Sequence, residues 1–233
     1  MRSRSRVALG FAAFVALICT LTSCTSPPVL DTLGEGDEQA PAPTATEPPP
    51  QPITLDDISL VIPEDWYWAQ VELERLEGLI FVQNDPDELA EFDDPDLALP
   101  LDYAAGALII TPLPQGSDAE TLSEAMLSAL ADLTGDDLDA MLLPLDQAGL
   151  IDHSAVEGVQ LLQARADMLA GLPALAMDGT ATFADDLPPE LRIQVYLTWT
   201  EDSFVAFYAL AAEQAWPNAE APLAAALETI SIR

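Results

Sequence analysis

The sequence predicts an α+β fold in which helices pack on an antiparallel sheet. Three observations carry this expectation. Leu191, Ile193, Val195, Leu197 and Trp199 alternate with Arg192, Gln194, Tyr196 and Thr198, the period-two pattern of a half-buried strand. The turn Thr200-Glu201-Asp202 leads back into the apolar run Ser203 to Leu210, which makes the pair a hairpin. Leu122, Met126, Ala129, Leu130 and Leu133 recur instead at helical spacing. The order strands, helix, strands, terminal helix fits helices gathered against an antiparallel sheet.

The first strand is read at Ile58, Leu60 and Ile62, stopped by Pro63 before Glu64-Asp65-Trp66-Tyr67-Trp68. Gly78 to Val82 and Ala105 to Ile110 are further strands, the latter closed by Pro112 and Pro114. Ser117 and Glu120 stand at capping-box spacing before the helix, and Gly135 supplies its stop. A shorter helical piece runs from Asp136 to Leu143 and ends at Pro144. Val159 to Met168 reads as a strand, although its leucines and alanines also suit a helix. Gly171-Leu172-Pro173 is a turn, Ala174 to Phe183 is extended, and a last helix follows Pro217-Asn218 with Leu223, Leu227 and Ile230 on one face.

Ahead of this domain, Arg2, Arg4 and Arg6 precede an apolar stretch from Val7 to Leu21, too short to span a bilayer comfortably. A basic start, an apolar middle and small residues before a cleavage point form an export signal. Its end, Leu21-Thr22-Ser23-Cys24, resembles the lipobox of bacterial lipoproteins. The resemblance implies diacylglycerol on the Cys24 thiol and cleavage before that residue. The layout predicts a signal peptide over 1–23, a tether over 24–52 and a single acidic domain over 53–233. The tether holds prolines at 27, 28, 41, 43, 48, 49, 50 and 52 and little apolar content, so it cannot bury enough surface to offset ordering entropy and reads as disordered. At about 3 Å per residue when extended, it could hold the domain several tens of ångströms from the bilayer. The expected partner is thus the membrane, through the lipid anchor, together with a protein of the cell envelope outside the cytoplasm.

Cys19 falls in the signal and Cys24 takes the lipid, which leaves the domain without cysteine. Disulfides, cysteine-ligated zinc and a cysteine nucleophile are excluded. The chain has seven basic residues, all arginine, against forty acidic ones. Loss of Arg2, Arg4 and Arg6 with the signal takes the formal net charge from -33 to -36. A body so acidic lacks the basic patches that nucleic acid and anionic lipid require. Cations or basic proteins suit it better, and a lysine-free acidic surface also serves solubility in high salt or at low pH.

The strand, proline, acid and tryptophan of Ile58 to Trp66, the Gly171-Leu172-Pro173-Ala174 turn before a strand, and the late hairpin with its C-terminal helix resemble the PsbP-like proteins and their bacterial lipoprotein relatives. The likeness implies an α/β/α sandwich around a twisted antiparallel sheet. No motif here transfers the role of photosynthetic PsbP proteins in the oxygen-evolving complex.

Chemistry has to come from sites, and few motifs offer it. The chain has no Gly-x-Ser-x-Gly elbow, phosphate loop or His-Glu-x-x-His helix, and one histidine, His153. Neighbouring side chains point apart, so Asp152, His153 and Ser154 cannot form a triad. Acids cluster at Asp85, Asp87, Glu88, Glu91, Asp93, Asp94 and Asp96, and again at Asp136, Asp137 and Asp139. Asp85, Asp87, Asp93, Asp94 and Asp96 are the candidate ligands for calcium, which takes several oxygens, although the glycine and terminal glutamate of a calcium loop are absent. No other cofactor is expected. Trp66 and Trp68 share one strand face with Tyr67 opposite, either as core or as the lining of a ligand groove. The function expected is that of an anchored, noncatalytic binding or accessory domain. The alternatives are a carboxylate-based extracytoplasmic hydrolase and a calcium-binding module.

Overall fold

The computed structural model describes residues 52–73, 76–84, 102–113, 116–184 and 190–233. Its centre is a seven-stranded antiparallel sheet built from β3 (Tyr67–Leu73), β4 (Leu76–Val82), β5 (Ala104–Pro112), β6 (Val156–Leu169), β7 (Leu172–Phe183), β8 (Leu191–Trp199) and β9 (Ser203–Ala212). The strand order is β3-β4-β5-β9-β8-β7-β6. A smaller sheet, in the order β1-β2-β10, joins β1 (Ile53–Leu55) and β2 (Ile58–Leu60) to β10 (Ser231–Ile232) at the end of the chain. The helices are α1 (Ala119–Ala129), α2 (Gly135–Ala140), α3 (Leu143–Gln147) and α4 (Trp216–Glu228).

Register shows which face each layer covers. Gly179 of β7 stands opposite Ile193 of β8, which stands opposite Leu210 of β9. A Cβ built on Gly179 would lie 2.2 Å from the Leu138 side chain of α2 and 2.5 Å from the Gln160 carbonyl oxygen, so α2 rests on this face at a separation that only glycine permits. Helix α1 packs on β7 and β8 beside it. On the other face the Arg192 guanidinium lies 5.6 Å from the centre of the Trp216 ring, and α4 packs against β9 and β5. The small sheet joins that layer where Val61 N-H donates to Thr229 Oγ1 at 2.9 Å, just beyond α4. Leu79, Phe81, Leu108, Val195, Val205 and Tyr208 are all at or below 1 % exposure between the layers. Both faces of β8 are thus covered, and Val195 to Trp199 are buried throughout where the alternation suggested a half-buried strand.

Several boundaries differ from the sequence expectation, each for a local reason. Helix α1 is capped by Asp118, not Ser117; the Asp118 carboxylate accepts from the backbone and hydroxyl of Thr121 and takes both bonds one residue later. Gly135 does not stop this helix. The chain leaves α1 through a 3-10 turn at Leu130–Asp132, and Gly135 begins α2, whose capping box pairs Thr134 with Asp137. Pro144 likewise opens α3 instead of ending α2, because a first-turn position needs no backbone N-H. The turn between β6 and β7 is Ala170-Gly171, with φ of 52° and 84°, and Leu172 already pairs with Leu169. Two successive positive φ values define a type I′ hairpin loop. Val159 to Met168 is strand, and it extends to Val156 and Leu169.

Candidate functional site

Strand β6 carries Arg165, its partner in register is Ala176 of β7, and the partner of Ala176 on β8 is Tyr196. Because Ala176 is small, the guanidinium reaches over it. Nη2 donates to the Tyr196 hydroxyl at 3.0 Å, Nη1 to Asp178 Oδ2 at 2.5 Å and Nε to Asp167 Oδ2 at 3.3 Å. Burial acts to lower the Arg165 pKa, but the bond to Asp178 and the charges around it more than offset this, so the guanidinium stays firmly protonated. Burial pushes the Tyr196 phenol up, and the nearby Arg165 charge opposes part of that rise. Each nitrogen has an acceptor and the cluster carries two acids against one base. It links three strands, each guanidinium nitrogen giving one bond to a neighbouring side chain.

His153 Nε2 lies 3.1 Å from Asp139 Oδ1, and its backbone N-H donates to Asp146 Oδ1 at 2.9 Å. The histidine therefore ties a 3-10 turn to α2 and the end of α3. Asp137 is spent on the α2 cap. Asp137 and Asp139 of the second acidic cluster thus have separate structural duties, and among the described residues no group of three or more histidine, cysteine, aspartate or glutamate side chains could hold a metal ion.

A cleft of about 320 Å³ opens where β4 ends, β5 begins and α4 starts; Gln83, Asp102, Gln214, Ala215 and Asn218 line it. Asn84, nearly buried, holds the site from behind: its Nδ2 donates to Asp102 Oδ1 at 3.3 Å and its Oδ1 accepts from Ala104 N at 3.4 Å.

No family model matches the chain, and no curated protein matches it in sequence. Solved structures align with it in three dimensions. Cyanobacterial PsbP (CyanoP) from Synechocystis aligns with a TM-score of 0.50 at 12 % identity, over 82 % of this chain and 98 % of that one. The fold is PsbP-like. LpqN of Mycobacterium tuberculosis, described as involved in cell envelope biogenesis, aligns with a TM-score of 0.43 at 17 % identity, over 80 % of this chain and 87 % of that one. A protein of unknown function from Pseudomonas aeruginosa gives 0.36 at 15 % identity, over 79 % and 97 % of the two chains.

In this PsbP-like domain the predicted site residues fall unevenly. Cys24 and the acids Asp85, Asp87, Asp93, Asp94 and Asp96 lie outside the described residues. The aromatic expectation is corrected in part. Trp66 packs on Phe81 with ring centroids 5.8 Å apart, but Trp68 and Tyr67, at the start of the edge strand β3, are 54 % and 44 % exposed. Trp199, Phe204, Phe207, Tyr208 and Trp216 are core. Sequence reading missed the cleft altogether. Its amides come from residues far apart in the chain and form no motif, and the one available signal was that glutamine and asparagine follow the ends of apolar strands at Gln83, Asn84 and Gln214. No helix among the described residues is long and apolar enough to cross a membrane.

Proposed function

We propose that the protein is a lipoprotein anchored through Cys24 to the outer side of a bacterial cell membrane, presenting its PsbP-like domain as a noncatalytic binding or accessory module for the envelope. The observation that carries the reading is the run Leu21-Thr22-Ser23-Cys24 at the end of a basic and then apolar segment. Two acyl chains or more on one cysteine hold a protein firmly, since each buried methylene contributes about 0.8 kcal/mol. The noncatalytic part of the reading is supported by the engagement of the polar groups. The single histidine is bonded to Asp139 rather than to a hydroxyl, and each nitrogen of the Arg165 guanidinium is bonded to a neighbouring side chain.

Metabolic labelling with a clickable palmitate analogue tests the anchor. The parent protein is expected to take up label and to partition with membranes, and Cys24→Ala is expected to lose the label and accumulate as precursor or released protein. Label retained in Cys24→Ala would overturn the assignment.

A further inference from the structure

The whole chain contains two asparagines, Asn84 and Asn218, separated by more than half its length. The fold brings both to one place. Asn218, in the first turn of α4, lines the cleft, while Asn84, following β4, fixes the Asp102 carboxylate that faces it. Gln83 and Gln214 join them, so that among the described residues three carboxamides and one carboxylate line the cleft of a chain that carries forty acids.

That lining selects by chemistry. Each carboxamide offers two N-H donors and an acceptor oxygen, and the carboxylate offers acceptors alone. An anionic ligand would meet Asp102 and the negative field of the body. A hard cation takes about six to eight oxygens and favours several carboxylates, whereas among the described residues one carboxylate lines the cleft. An apolar ligand would strip water from four polar side chains without replacing the lost bonds. Neighbouring hydroxyls of a neutral sugar fit all four groups at once, since each hydroxyl both donates to a carboxylate or amide oxygen and accepts from an amide N-H. The volume lies at the small end of ligand clefts, suited to one sugar or the end of a glycan chain.

We infer that this cleft between β4, β5 and α4 binds a neutral saccharide, held by Gln83, Asp102, Gln214 and Asn218. The inference deepens the binding-module reading proposed above and gives that module a ligand class, yet its test does not depend on the anchor. The full chain, in a non-glycosidic detergent, is titrated by calorimetry with a panel of neutral monosaccharides and their oligomers, and separately with calcium chloride. Saturable binding of at least one sugar is expected, weakened about tenfold or more in Asn218→Ala and in Asp102→Asn, as for loss of a hydrogen bond to a charged or cleft-lining group. Thermal melting of each variant within a degree or two of the parent separates lost binding from lost folding, and Gln163→Ala on β6 serves as a control that keeps affinity. If no sugar binds at millimolar concentration, or if binding survives both cleft substitutions, the inference fails. It also fails if calcium binds and the Asp102→Asn change abolishes that binding. Loss of lipid labelling in the anchor experiment would leave these outcomes untouched.

Discussion

The guanidinium of Arg165 crosses above Ala176 to reach the hydroxyl of Tyr196, so that β6 and β8 are bonded to one another over the strand that separates them. Asp178, two residues along β7, takes the second arm of the fork. Such a link fixes register, because a shift of one residue would send Arg165 to the opposite face.

Arg165→Met is expected to lower stability by about 1–3 kcal/mol, because it leaves the largely buried Asp178 carboxylate unpaired; the side chain of Arg165 is itself 34 % exposed, which keeps the loss below that of a fully buried pair. Asp178→Asn in the same background should recover part of it. Chemical denaturation of the four members of this cycle measures the coupling, and strictly additive losses would show that the two side chains act independently.

Gly179→Ala is expected to cost about 1–3 kcal/mol, since the added methyl would meet the Gln160 carbonyl of the paired strand and the Leu138 side chain. Leu138→Ala in combination should relieve only the second of these contacts. A melting temperature unchanged in Gly179→Ala would mean that both α2 and the paired strand yield to the methyl without loss.

Two buried tyrosines should respond in opposite ways to loss of the hydroxyl. Tyr103 donates to the Leu150 carbonyl at 3.1 Å, so Tyr103→Phe is expected to cost about 1 kcal/mol. The Tyr208 hydroxyl is buried with no partner among the described residues, so Tyr208→Phe should be neutral or stabilising. Denaturant midpoints decide the contrast.

Burial pushes both phenols well above their ordinary range in the folded state. The unfolded chain ionises its tyrosines near pH 10 and thus binds fewer protons than the folded chain above that value. The contribution is complete below about pH 10 and is lost as pH rises toward the folded-state values. Stability followed from pH 8 to 11.5 should fall at the upper end, and less steeply in Tyr208→Phe.

Local chemistry left its marks in the sequence. The alternation of β8, the hairpin into β9 and the periodicity of α1 depend on side-chain spacing along one stretch of chain, and those elements stand where spacing puts them. Caps and stops were displaced because rival residues compete within a turn. Asp118 outbids Ser117 for the N-H and hydroxyl of Thr121, and Gly135 is needed at close quarters with the Val159 carbonyl, not as a helix stop. Trp68 was legible as a strand residue but not as an exposed one, since exposure is set by tertiary packing and not by spacing along the chain.

By itself the sequence determined the main strands of the hairpins and the helix α1, the absence of cysteine and lysine chemistry from the domain, and the lipobox pattern ending at Cys24. Tertiary structure alone decided that Arg165 meets Tyr196 and that Asp102, held by Asn84, shares one cleft with Asn218. The physical reason is that strand pairing in the order β3-β4-β5-β9-β8-β7-β6 joins β5 to β9 across about a hundred residues, and no local pattern of side chains encodes which distant ends will then share an edge of the sheet.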